Sequence, residues 1–112
     1  MSKAKPTVID LFCGCGGLSY GFIEAGYEVA LGIDHWQDAI KTFEHNHKGS
    51  KGLVADLFNE TPKEISKKTG IKKADIIIGG PPCQGFSIAG KRIVDDERNK
   101  LYKSFVSFVE FY

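Results

Sequence analysis

The sequence predicts an α/β domain: a doubly wound, Rossmann-like parallel sheet with helices on its faces. Two observations carry this. Short runs rich in apolar and β-branched residues alternate four times with segments of helical periodicity, an order that suits parallel strands joined by crossover helices. The first run also ends in a cluster of glycines and the fourth in a proline-rich loop. If the fourth strand lies beside the first, these two loops face one crevice at the switch point of the sheet, although about 70 residues separate them.

Taken in order, Thr7 to Phe12 reads as a buried strand feeding a tight glycine turn, and a helix follows from about Gly17 to Ala25, closed by Gly26. Glu28 to Ile33 is the second strand and meets Asp34. Trp36, Ala39, Ile40 and Phe43 form the stripe of an amphipathic helix that ends near Asn46. Leu53 to Leu57 is a short strand candidate. Thr61, Pro62 and Glu64 combine a capping box with a proline in the first turn, and Gly70 supplies the stop. Asp75 to Gly79 is a fully apolar strand except for its first residue. After the long loop from Gly80 to about Glu97, a last helix begins near Asn99, with Leu101, Phe105, Phe108, Val109 and Tyr112 on one face.

Bulk properties exclude several classes. The 112 residues allow one domain, here expected to be a partial one spanning 1–112. No apolar run approaches the roughly 18 residues of a membrane span, and a cytoplasmic location is expected. The net charge of +1 gives no global footprint of nucleic-acid binding. Cys13, Cys15 and Cys83 make an odd number with poor disulfide spacing, so reduced thiols are expected. Together with His35, His45 and His47 they lack the paired spacing of a zinc site, and no metal is expected.

Gly14, Gly16 and Gly17 follow a strand and open a helix, so backbone can approach a ligand and the helix N-terminus can present N–H groups to a carboxylate or phosphate. Asp34, 20 residues after Gly14, is placed to accept hydrogen bonds from ribose hydroxyls. On these residues alone a purely structural turn, a nicotinamide or flavin nucleotide and S-adenosylmethionine all stay open. Phe12 is a candidate for the adenine face and Asp56 for its amine, against the plainer readings of core residue and cap. Cys83 stands in a polar loop, held by Pro81 and Pro82, where a nucleophilic thiolate is better placed than a structural thiol.

Five ordered blocks resemble the cytosine-5 DNA methyltransferase family. They are Asp10 to Gly17, Asp34 after the second strand, Asp56-Leu57, Gly80 to Ser87 with Cys83 at its centre, and Asp96 to Leu101. The resemblance implies transfer of the methyl group of S-adenosyl-L-methionine to carbon 5 of a cytosine flipped out of duplex DNA, with Cys83 as the nucleophile. It implies a cofactor pocket lined by Phe12, Gly14, Gly16, Gly17, Asp34, His35, Asp56, Leu57, Pro81 and Leu101. Pro82, Gln84, Ser87, Lys91 and Arg98 would face the DNA. A restriction-modification setting is expected. The family continues with blocks that supply a glutamate, an arginine and the target-recognition region, so this chain is expected to be a fragment or a split subunit completed by a C-terminal part or second polypeptide. A transfer-RNA methyltransferase and a cofactor-binding remnant without turnover are the alternatives.

Overall fold

The computed structural model describes residues 5–57, 59–80 and 97–112, with the side chains of 97–102 excepted. Eight elements alternate: β1 (Thr7–Leu11), α1 (Gly17–Glu24), β2 (Glu28–Asp34), α2 (Gln37–Asn46), β3 (Lys51–Val54), α3 (Pro62–Thr69), β4 (Ile76–Gly79) and α4 (Glu97–Phe111). The strands form a parallel sheet in the order β3-β2-β1-β4, so the fourth strand does return beside the first.

The two-residue period of β1 divides the core. Ile9 and Leu11 join Leu31, Ile33, Ile65 of α3 and Phe108 of α4 on one face, while Val8 joins Val29, Ile40 and Phe43 of α2 on the other. Both faces are covered, which is why these strands read as continuous apolar runs. Asp10 is the exception: it shares the parity of Val8 and is almost fully buried.

Glycines set how closely α2 approaches the sheet. A Cβ at Gly32 would lie 2.5 Å from the Phe43 ring, and one at Gly52 would lie 2.7 Å from Glu44. This packing also explains a displaced boundary. The third strand runs from Lys51 to Val54 instead of Leu53 to Leu57, because its ladder pairs Lys51 with Leu31 and Val54 with Asp34, where β2 ends. Ala55 adds one more bond, to the Asp34 carbonyl, and the chain then turns at Asp56.

Two helices also differ from expectation. Trp36 precedes α2 in extended conformation and is 62% exposed, so the core stripe begins at Ala39. Val109 is exposed on α4, whereas Phe108 is buried and stacks on Tyr112. That helix is already formed at Glu97, two residues before the expected start.

The best-punctuated helix behaves as read. The Glu64 N–H donates to the Thr61 hydroxyl at 3.2 Å, and the Glu64 carboxylate accepts from the Thr61 N–H at 3.5 Å. Gly70 closes α3 in the left-handed conformation. Thr61→Ala should therefore cost about 1 kcal/mol of stability, read as a lowered midpoint in urea unfolding with an unchanged slope.

Candidate functional site

The site is built at the carboxyl ends of β1, β2 and β3. Beyond Leu11 the chain turns through Phe12, whose φ of 58° is unusual for a non-glycine residue, and then through Gly14 and Gly16, also at positive φ. Backbone bonds hold this turn: the Cys13 N–H donates to the Ile33 carbonyl at 3.0 Å, and the Gly16 N–H donates to the Cys13 carbonyl at 3.0 Å. A strained residue just past a strand end, kept in place by its surroundings, is a mark of functional turns.

Asp34 ties the turn to β2. Its carboxylate accepts from the Gly14 N–H at 2.9 Å and from the Trp36 N–H at 3.1 Å, and His35 Nδ1 lies 3.3 Å away. An ionised carboxylate has about four lone-pair directions, so these contacts leave capacity for hydroxyl donors. The His35 side chain is largely exposed beside it.

The glycines of the turn do different jobs. A Cβ at Gly16 would sit 2.3 Å from His47 Cε1 and 2.7 Å from the Phe43 ring, so this position is a packing contact between α1 and α2. Around Gly14 and Gly17 a Cβ would meet nothing within 4 Å, which leaves open space beside the backbone. No side chain caps the first turn of α1. A cleft of about 400 Å³ opens here, lined by Cys15, Gly16, Gly17, Tyr20, Asn46 and His47.

The other expected residues fall as follows. Phe12 is half-buried and packs against the core shared with α3 and α4. Asp56 follows β3 and is exposed; its carboxylate accepts from Asn59 Nδ2 at 2.7 Å, and its N–H donates to Glu60 at 3.0 Å. Leu57 has its side chain in the core. Arg98 and Leu101 stand on the first turns of α4, their side chains outside the described residues. Pro81, Pro82, Cys83, Gln84, Ser87 and Lys91 also lie outside the described residues. The structure thus brings Phe12, Gly14, Gly16, Gly17, Asp34, His35 and Asp56 to one end of the sheet, and β4 reaches the same end with Gly79 paired to Leu11.

The comparisons with known proteins match this geometry. The family model for C-5 cytosine-specific DNA methylases matches residues 6–112. This chain belongs to that family. It is 42% identical over 104 residues to the type II methyltransferase M.AgeI of Thalassovita gelatinovora, a match covering 91% of the chain and 24% of the relative. It is 43% identical to M.DdeI of Desulfomicrobium norvegicum, covering 94% of the chain and 25% of the relative. M.HgiGI of Herpetosiphon aurantiacus is 39% identical, with 90% of the chain and 78% of the relative covered. Among solved structures, a chain named as a DNA modification methyltransferase encoded within a prophage (E. coli) superposes with a TM-score of 0.77 at 39% identity, over 96% of this chain and 29% of that one. The S. pombe Dnmt2 methyltransferase, at 19% identity and TM-score 0.63, shares the fold. The chain thus spans about a quarter of the length of the first two relatives.

Among the described residues three buried polar ones, Asp10, Ser19 and His47, were not among the site residues expected from the sequence. The one available signal was a charge inside an otherwise apolar strand. Cys13 is also buried, and desolvation, with Asp10 and Asp34 adding to it, pushes its thiol far above the ordinary range, so it stays protonated. Among the described residues no group of three metal-binding side chains occurs, and no helix is long and apolar enough to cross a membrane.

The difference between neighbouring glycines is testable. Gly16→Ala should destabilise the chain by about 1–3 kcal/mol through overpacking and a strained φ, while Gly17→Ala should change stability by less than about 0.5 kcal/mol. Thermal unfolding of both variants checks this; equal losses would contradict the packing role of Gly16.

Proposed function

We propose that this chain forms the S-adenosylmethionine-binding and nucleophile-bearing part of a DNA (cytosine-5)-methyltransferase of restriction-modification type, acting in the cytoplasm on cytosine in duplex DNA. The observation that carries the reading is the glycine turn: it is pinned by Asp34, open beside Gly14 and Gly17, and stands next to an exposed His35. Family membership supports the substrate class.

The residues present fit such a cofactor. Spare acceptor capacity on Asp34 suits ribose hydroxyls, the uncapped start of α1 suits the methionine carboxylate, and His35 and Phe12 offer flat surfaces for the adenine. Asp56, Leu57, Pro81 and Leu101 complete the proposed pocket. Bound there, S-adenosylmethionine would supply an electrophilic methyl group carried on a sulfonium.

The chain's own contribution is to make carbon 5 of cytosine nucleophilic. Cys83, four residues after the end of β4, adds its thiolate sulfur to carbon 6 of the flipped base, and the electron pair of the 5,6 double bond moves toward carbon 5. When the carbon 5 proton leaves after methylation, the double bond re-forms and the sulfur departs as thiolate. Pro82 would hold the loop against the base, and Gln84, Ser87, Lys91 and Arg98 would meet the DNA. Because the chain spans about a quarter of its first relatives, we assign recognition of the target sequence, and assistance to the attack, to a further polypeptide segment: a C-terminal continuation or a second subunit.

Calorimetric titration tests the cofactor half. The chain should bind S-adenosylmethionine, and Asp34→Ala should weaken binding by about tenfold or more, since it removes acceptors for both turn and ligand. Binding of NADH in place of S-adenosylmethionine would overturn the reading. For the nucleophile, the enzyme completed by that further segment and supplied with S-adenosylmethionine should be trapped by duplex DNA containing 5-fluorocytosine in a covalent adduct on Cys83 that mass spectrometry locates and that Cys83→Ser lacks. An adduct with transfer RNA instead would change the substrate.

A further inference from the structure

Asp10, Ser19 and His47 are the buried polar side chains among the described residues; Asp10 and Ser19 stand on the strand and helix that flank the glycine turn, and His47 packs against it. They come from different elements: the last residue but one of β1, the first turn of α1, and the residue that closes α2. The Ser19 hydroxyl donates to Asp10 Oδ2 at 2.5 Å, fastening the start of α1 to the central strand. His47 packs under Gly16, close enough that a side chain there would collide with its ring. Its Nδ1 lies 2.9 Å from the Phe43 carbonyl, which can only accept, so Nδ1 carries a hydrogen. Its Nε2 is buried without a partner.

Resting on the reading of the turn as a cofactor site, we propose that Asp10, Ser19 and His47 form one proton-sensitive anchor. They are positioning residues that hold the turn in its ligand-binding shape and make cofactor affinity depend on pH.

The groups facing Asp10 fix the sign. Burial is the largest influence and raises its carboxyl to about 6; the Ser19 hydrogen bond and the His47 ring oppose this, and the Asp34 carboxylate adds to it. The Cys13 thiol, also nearby, is uncharged. The folded chain thus holds the Asp10 proton more tightly than the unfolded chain. Its contribution to stability is greatest below the ordinary value of 3.8 and is lost as pH rises through about 6. Local order at the turn runs the other way. The ionised carboxylate makes a charge-assisted bond with Ser19, and protonation reduces it to a weaker neutral one. Acidification should therefore make the fold more stable and the cofactor site looser, a pairing that a purely structural aspartate would not produce.

The experiment measures the affinity of the chain for S-adenosylmethionine, and its thermal midpoint without ligand, between about pH 5 and about pH 7.5. Affinity should weaken by about fivefold toward the acid end while the midpoint rises. Asp10→Asn keeps an acceptor for Ser19 but cannot ionise; it should flatten both profiles and also corrects for titration of the ligand itself. Ser19→Ala removes the bond that holds the carboxyl down, so it should move the stability transition to higher pH and abolish the pH dependence of affinity. Profiles that persist unchanged in Asp10→Asn, or a midpoint and affinity that rise together on acidification, would overturn the proposal. If no S-adenosylmethionine binds at any pH, the cofactor reading fails, and the anchor falls with it as a device for that ligand, even where the thermal scan still reports the Asp10 proton.

Discussion

The short bond from the Gly14 N–H to the Asp34 carboxylate is the constraint on which the site depends. It joins the loop after β1 to the end of β2, and so converts two adjacent strand ends into one surface. The turn it holds contains a phenylalanine at φ 58° and two left-handed glycines, an arrangement that would relax without a charged acceptor at that point. The same carboxylate accepts from the Trp36 N–H just before α2, so turn and helix entry are tied to the end of β2 by one side chain.

Beneath this surface the sheet supplies rigidity. β1 lies between β2 and β4, its apolar side chains divided between two cores, and the closest helix approaches occur where glycine removes a side chain. Gly16, Gly32 and Gly52 all serve α2 in this way, so that helix is pressed against the sheet from the glycine turn to β3. The arrangement leaves Gly14 and Gly17 without packing duties. Open space at these positions, beside the crowded Gly16, is what the proposed ligand-binding role of the turn requires.

Much of this was legible in the sequence. Strand and helix order followed from periodicity, and α3 was marked by its cap, proline and terminal glycine. The adjacency of β1 and β4 followed from the common doubly wound order. What the sequence hid was tertiary in origin. The third strand starts at Lys51 and Gly52, poor strand formers on propensity, because pairing with β2 and contact with α2 outweigh local preference. Trp36 fits the helical period yet faces outward, since Asp34 fixes the chain in extended form just before the helix. Ser19 and His47 look like an ordinary helix serine and a surface histidine; only the fold brings them to the turn with Asp10. The loop bearing Cys83 lies outside the described residues, so its assignment stands on motif and family membership.

The most direct test of the central claim is the change in backbone amide NMR signals when S-adenosylmethionine is added to the chain. The account predicts that the largest shifts fall on Gly14, Cys15, Gly17 and His35, with smaller ones at Asp56 and none on α3. Shifts centred on α3, or on the opposite end of the sheet near Lys5 and Glu28, would contradict it.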